Sequence, residues 1–124
     1  MAVELDAIRR GTVVVVRLSR DKARPAVVVR SNLLSELSHA TVLPITTELR
    51  ANVSMRIDIE PGPENGLREA SQVMVDWLQT VRLSDMGQTI GCLDMATMAA
   101  ITRQMAVVLG IGSGTGRSRR PRTI

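Results

Sequence analysis

Arg24-Pro-Ala-Val-Val-Val29 and, further along, Ala40-Thr-Val-Leu-Pro-Ile-Thr-Thr47 are the stretches that decide the fold of this chain. Each contains a short run of β-branched and apolar residues between polar segments, which predicts a β-strand. If the polar segment 31–39 turns the chain back, the strands are antiparallel, and the start of the first lies beside the end of the second. A turn centred on the middle of that segment places Arg24 opposite Thr46, with Cβ atoms about 5 Å apart if they pair directly. We therefore expect a guanidinium and a hydroxyl at one rim of a sheet, a pair suited to binding a phosphate.

The rest of the chain supplies further strands and one helix. Asp94 is a good N-cap residue and Gly110 is a natural residue to follow a helix, so a helix is predicted between them. Its apolar stripe is expected to pack on the sheet, with a partner-binding surface as the alternative. The stripe consists of Met98, Ile101, Met105 and Val108, extended by Met95 and Leu109. The predicted strands are 12–18, 26–30, 41–45, 53–59, 71–77 and 89–93, with a helical turn at 83–87.

Strands followed by one main helix indicate an α+β fold, a small and strongly bent antiparallel sheet or barrel with a C-terminal helix. At 124 residues, with 44% hydrophobic and 23% charged residues, the chain has the size and composition of one globular domain. We place that domain at 1–110 and expect the Gly-, Ser- and Arg-rich tail 111–124 to be disordered. The tail is interpreted as a solvated segment, with a loose electrostatic contact to nucleic-acid phosphates as the alternative.

The charge and cysteine content indicate the compartment. The net charge of +4 comes from four tail arginines, so residues 1–116 are balanced. No apolar run approaches the roughly 18 residues of a membrane span, and the N-terminus lacks the pattern of a signal peptide. The single cysteine, Cys92, excludes an intramolecular disulfide and is expected to be buried. These features predict a cytoplasmic protein without membrane association.

Several kinds of chemistry lack the residues that they need. There is no phosphate-binding glycine loop, dinucleotide fingerprint or metal-ligand cluster, so neither a cofactor nor a metal is expected. The one histidine, His39, excludes mechanisms that need two. An arginine with a hydroxyl suits chemistry in which negative charge develops on phosphate. RNA supplies its own nucleophile, the 2′-hydroxyl, and an enzyme that aligns it and stabilises the phosphate needs no metal.

The chain resembles the MazF/PemK (Kid) toxins of bacterial toxin–antitoxin modules. The resemblance covers about residues 9–110, and it rests on the order and spacing of several motifs. These are Gly11-x-Val-Val-Val, Arg24-Pro-Ala-Val-Val-Val, Leu43-Pro-Ile-Thr-Thr, Glu64-Asn-Gly-Leu, Ser71-x-Val-Met-Val-Asp, Gln79-Thr-Val, Ile90-Gly-x-Leu and the terminal helix ending Val-Leu109-Gly110.

The resemblance implies a sequence-specific, metal-independent endoribonuclease that cleaves single-stranded RNA and leaves 2′,3′-cyclic phosphate and 5′-hydroxyl ends. It also implies a homodimer that binds RNA in a groove at the dimer interface and is neutralised by a MazE-like antitoxin with an acidic segment. The matching catalytic positions are Arg24, for proton transfer and phosphate stabilisation, and Thr46, for phosphate stabilisation. Thr47 and Asn32 match positions that contact RNA.

Other residues receive roles with alternatives. Arg20 and Lys22 are interpreted as phosphate contacts or solvated loop charges. Asp21 lies in a loop that is shorter than in many relatives, and it is a candidate base. Asp76 is a candidate helper or a structural hydrogen-bonding residue, and Trp77 either stacks on a base or is buried in the core or the dimer interface. Two other functions remain open: a CcdB-like poison of DNA gyrase, and a catalytically silent RNA-binding barrel.

Overall fold

The computed structural model describes residues 8–17 and 22–112. The strands in this part are β1 Thr12–Arg17, β2 Ala23–Val28, β3 His39–Thr46, β4 Arg56–Ile59, β5 Ser71–Met74, β6 Gln79–Arg82 and β7 Met86–Cys92, followed by the helix α1 Met95–Leu109. All pairings are antiparallel, in the order β4-β5-β3-β2-β1-β7, and β6 also pairs with β3. The predicted α+β fold with a C-terminal helix is confirmed.

The β2–β3 register agrees with the predicted turn. Ala26 pairs with Pro44, and Val28 pairs with Val42. Extending this register by two residues sets Arg24 opposite Thr46, as the sequence predicted. Strand β2 begins at Ala23, three residues earlier than predicted, because its pairing with β1 continues to the very end of that strand.

Strand β3 is central because it changes partners along its length. Its first half, from His39 to Val42, pairs with β6, whereas Ile45 and Thr46 pair with β5. Strand β6 was not predicted, and its pattern is weak because Val81 is its only buried residue. His39 ends the segment 31–39 that was predicted to turn the chain back, but it begins β3 because it pairs with Arg82.

The sheet curls until the segment after β4 meets β7. The backbone N–H of Cys92 donates to the carbonyl of Glu64 at 2.8 Å. Gly66 has a φ of +71°, and a Cβ there would lie 2.1 Å from the carbonyl oxygen of Ile90. Only glycine fits both this conformation and this approach. The bend predicted for the sheet is therefore held by a backbone contact between distant segments.

Both faces of the central strands are buried. On one face α1 covers the sheet, where the fully buried Ile101 packs with the partly buried Met98, Met105 and Val108 of the predicted stripe. The other face carries a second apolar cluster: Ile8, Val14, Val16, Ala26, Val28, Ala40, Val42, Val81 and Met86. No helix in the described part of the chain is both long enough and apolar enough to cross a membrane.

Two predicted strands are shorter in the structure. The strand predicted over 53–59 is only β4, because its partner β5 offers four residues and Arg56 already pairs with the last of them. The strand predicted to reach Trp77 ends at Met74, where the Trp77 N–H donates to the Met74 carbonyl and closes a turn. Strand β7 begins earlier than predicted because Met86 pairs with β1, which limits the preceding helical turn to Leu83–Asp85.

Predictions of burial were wrong at several positions. Met95 and Leu109, expected to extend the helix stripe, are exposed because they occupy the two ends of α1, beyond the reach of the sheet. Cys92, expected in the core, is exposed at the end of β7. Of the three alternatives given for Trp77, only burial in the core of this chain is wrong, because its side chain is 58% exposed.

Candidate active site

A groove with a volume of about 390 Å³ lies beside the start of β2. Its floor is apolar and comes from strands β1, β2, β3 and β7 and from the segment after the Gly66 turn. The floor residues are Val15, Pro25, Ile45, Leu67 and Ile90. Its polar lining consists of Arg24, Thr47, Arg68, Glu69, Ser71 and Gln88. The groove therefore combines an apolar bed with two guanidiniums, a carboxylate and neutral hydrogen-bonding groups.

Arg24 is held by rigid backbone and presents an exposed side chain. It pairs with Val16 of β1 on one side, whereas the β2–β3 pairing on the other side ends two residues away, at Ala26 and Pro44. Within residues 8–17 and 22–112 the guanidinium has no ion-pair partner, and the ion pair in that part joins Arg50 to Glu48. Because arginine is always charged and can grip two oxygens, this side chain is suited to an external anion.

The two threonines after Ile45 have different surroundings. Thr47 lines the groove together with Arg24. Thr46 is 8% exposed, and its Oγ1 accepts a hydrogen bond from the Glu48 N–H at 3.0 Å. Successive side chains of a strand point to opposite faces, and residues directly opposite in an antiparallel pair share a face. The extended register therefore puts Arg24 on the same face as Thr46, whereas the residues that line the groove include Arg24 and Thr47. The structure thus brings Thr47, rather than Thr46, into the cavity that Arg24 lines.

Gln72 anchors the segment that follows the threonines. Its side chain is buried, and its Nε2 donates to the Arg50 carbonyl at 3.2 Å and to Asp58 Oδ1 at 2.8 Å. Its Oε1 accepts from the Arg50 N–H and from Arg56 Nη1, each at 3.0 Å. Sequence reasoning did not single out this residue. The available signal was an amide beside apolar residues in a strand predicted to be buried.

The rim that carries Arg68 and Glu69 is fixed at both ends. At one end the buried Asn65 accepts from the Leu67 N–H at 2.9 Å and donates to the Glu60 carbonyl at 2.9 Å. At the other end the Ser71 hydroxyl donates to the Glu69 carbonyl at 2.8 Å. Sequence reasoning did not identify this segment as a wall of the groove.

The remaining predicted site residues lie elsewhere. Asn32 follows the end of β2 opposite to Arg24, and its Oδ1 accepts from the Arg10 N–H at 2.8 Å. Lys22 is exposed just before β2. Asp76 and Trp77 are exposed in the turn after β5 and do not line the groove. The positions of Arg20 and Asp21 lie outside the described residues.

Among the described residues, no three His, Cys, Asp or Glu side chains are grouped so that they could hold a metal ion. A second cavity, of about 580 Å³, lies at the start of α1 and is lined by the carboxylates of Asp58, Glu60, Glu64 and Asp94. These negative charges disfavour an RNA phosphate there. The groove beside Arg24 is therefore the better candidate for an anionic substrate.

Residues 9–109 match the family described as PemK-like, MazF-like toxin of type II toxin–antitoxin systems. The chain belongs to the MazF/PemK toxin family. It is 33% identical over 90 residues to a probable endoribonuclease MazF of Mycolicibacterium smegmatis, which covers 73% of this chain and 83% of the relative.

Solved MazF/PemK structures share the fold. Mycobacterium tuberculosis toxin MazF-mt6 superposes with a TM-score of 0.70 at 28% identity, covering 81% of this chain and 97% of the other. A mycobacterial endoribonuclease in complex with its cognate antitoxin has a TM-score of 0.72 at 25% identity, covering 83% of this chain and 95% of the other. The family resemblance predicted from the motifs is confirmed.

Proposed function

We propose that this MazF/PemK chain is the toxin of a toxin–antitoxin pair and acts as a metal-independent endoribonuclease on single-stranded RNA. Family membership and the relatives named endoribonucleases support the class of activity. The observation that carries the proposal is the exposed Arg24, which pairs with β1 and lines a largely apolar groove together with Thr47. The guanidinium suits the phosphate, and the apolar floor suits bases that are splayed out of a single strand.

The reaction needs alignment and charge stabilisation. The 2′-oxygen forms a bond to the adjacent phosphorus and the bond to the 5′-oxygen breaks, leaving a 2′,3′-cyclic phosphate and a 5′-hydroxyl. Arg24 neutralises the charge that accumulates on the phosphoryl oxygens. Thr47 offers a hydroxyl in the same groove. Thr46 contributes to the phosphate site indirectly, because its Oγ1 accepts from the Glu48 N–H and so holds the turn that contains Thr47.

Other residues extend this site in the proposal. Lys22 and Arg20 contact neighbouring phosphates, and Asn32 contacts RNA through the Nδ2 donor that its bond to Arg10 leaves available. Asp21 and Asp76 remain auxiliary candidates. Trp77 supplies an exposed aromatic surface, suited either to stacking on a base or to a subunit interface.

We also infer a cytoplasmic homodimer that is neutralised by a MazE-like antitoxin. The family implies both partners, and the neighbour solved with its cognate antitoxin supports the second. An acidic antitoxin segment would compete with RNA for the same arginines, because both present negative charge.

The gyrase-poison alternative is less favoured. The CcdB-like proteins that trap gyrase end in Trp-Gly-Ile, whereas here Leu109, the last residue of α1, is followed by Gly110 and Ile111, without the tryptophan. A silent RNA-binding barrel remains the second alternative, and it is distinguished by whether RNA is cut.

The test is cleavage of a long mixed-sequence single-stranded RNA in EDTA, with fragment ends mapped by primer extension. Arg24→Ala is expected to slow cleavage by about 10²- to 10³-fold, as for loss of a transition-state stabiliser. Thr46→Ala and Thr47→Ala show which threonine serves the phosphate. Arg82→Ala, an exposed arginine of β6 that lies outside the groove, is the matched control.

Discrete cuts that persist in EDTA and disappear in Arg24→Ala support the proposal. Binding of RNA without new ends would favour the silent barrel. Intact RNA combined with stalled supercoiling would favour the gyrase poison.

A further inference from the structure

We propose that Glu69 is the proton acceptor for the attacking 2′-hydroxyl. This inference rests on the proposed ribonuclease function, which requires a base that the arginine and the threonines cannot supply. The 2′-hydroxyl proton moves to the Glu69 carboxylate as the oxygen–phosphorus bond forms. The 5′-oxygen departs and takes a proton from water, and the carboxylic acid then returns its proton to solvent.

The residues that line the groove include one candidate for the proton acceptor. An ionised carboxylate accepts a proton, whereas an arginine stays protonated and an amide or a hydroxyl is a poor base near neutral pH. Among the described residues that line the groove, Glu69 is the only carboxylate. It shares the cavity with Arg24, which is the proposed phosphate ligand.

The backbone around Glu69 is held for such a role. Its own carbonyl accepts from the Ser71 hydroxyl at 2.8 Å, and the Asn65 amide fixes the start of the same segment through the Leu67 N–H. A carboxylate on a segment anchored at both ends loses less freedom when substrate binds, which favours proton transfer in a defined geometry.

The groove that Glu69 lines also carries two arginines. The described charged groups around the groove are Arg24 from β2 and Arg68 from the same segment, and the other polar lining residues do not titrate near neutral pH. Two guanidiniums and one carboxylate keep the groove net positive, so an RNA phosphate is still attracted when the base is charged.

The other acidic candidates are placed less favourably. Asp76 is exposed in the turn after β5 and does not line the groove. Asp21 lies outside the described residues, so its carboxylate is compared with Glu69 by experiment.

The experiment measures single-turnover cleavage of a saturating RNA oligonucleotide, cut at the site found for the parent, from pH 4 to pH 9. For the parent, the rate should rise with pH as the carboxylate ionises and then level off. Glu69→Gln should lower the plateau by about 10²-fold, within the usual range for general-base catalysis, and should lose the acidic limb of the profile. RNA affinity should be unchanged or higher, because a negative charge is removed from an RNA-binding groove.

The controls separate this proposal from the proposed function. Glu69→Asp should restore part of the rate and the acidic limb, which a purely structural defect would not do. Glu60→Gln, an exposed carboxyl that lines the other cavity, should behave as the parent.

One result would reject Glu69 alone: the parent cuts RNA, Arg24→Ala does not, and Glu69→Gln keeps both the parental rate and its fall at acidic pH. In that case the assignment of Glu69 is wrong and the proposed ribonuclease function stands. The same holds if Asp21→Asn or Asp76→Asn removes the limb instead. If the parent never cuts RNA, both proposals fail.

Discussion

Gly66→Ala tests whether a backbone contact closes the sheet and supports the groove wall. Gly66 and Gly110 have nearly the same φ, +71° and +68°, in the range that favours glycine. An added Cβ at Gly110 meets nothing within 4 Å, whereas at Gly66 it would lie 2.1 Å from the Ile90 carbonyl oxygen and 2.8 Å from the carbonyl carbon. Gly110→Ala is therefore a control that carries the conformational cost without the clash.

The magnitudes follow from these surroundings. A left-handed conformation costs an L-residue about 1–2 kcal/mol, which is the whole cost expected at Gly110. At Gly66 the obstacle is backbone, so relief requires β7 to move away. Overpacking of this kind costs about 1–3 kcal/mol. The adjacent Cys92–Glu64 hydrogen bond, 2.8 Å long, is strained as well, at about 1 kcal/mol. Summed, Gly66→Ala should lower the free energy of unfolding by about 3–6 kcal/mol.

Urea unfolding followed by far-UV circular dichroism measures the difference between the two variants. Protomer concentrations must be equal, because association adds to apparent stability. Gly66→Ala should unfold at clearly lower urea than Gly110→Ala. Equal midpoints with equal slopes would refute the close approach of the turn to β7 and its role in closing the sheet.

Two further predictions concern anchors of the fold. Gln72→Ala should lower the free energy of unfolding by about 1–3 kcal/mol, because it leaves the hydrogen-bonding partners of a buried amide unsatisfied. It should also accelerate hydrogen exchange at the Arg50 amide, which donates to Gln72 Oε1. Unchanged exchange there would contradict the anchoring role. Hydrogen bonds from Thr97, by its hydroxyl and by its backbone N–H, lower the pKa of Asp94 in the folded state. The ionised Asp94 cap therefore stabilises the folded state fully above the unfolded pKa of about 3.9. This stabilisation is lost as the pH falls through the lower pKa of the folded state. Asp94→Asn keeps a capping oxygen and should lose this component of the pH dependence in acid unfolding curves; an unaltered dependence would argue against it.

Much of the architecture was readable from local patterns. The β2–β3 register follows from two apolar runs and the length of the segment between them, since both strands must bury matching faces. The helix limits follow from Asp94, whose side chain accepts from the Thr97 N–H, and from Gly110, which adopts the left-handed conformation. These signals lie within a few residues of the feature that they specify, so the sequence alone carries them.

The residues that line the groove could not be predicted from local sequence patterns. Arg24 was singled out by the strand register and by the resemblance, and Thr47 by the resemblance. Glu69 lines the same groove only because the curled sheet brings the segment after Gly66 against β7 and beside β2. The exposure of Cys92 and Trp77 likewise depends on where the curled sheet ends. Local sequence determined the strand register, the helix and the family. Contacts between residues far apart in the chain decided which side chains share a cavity, because packing in three dimensions carries no local sequence period.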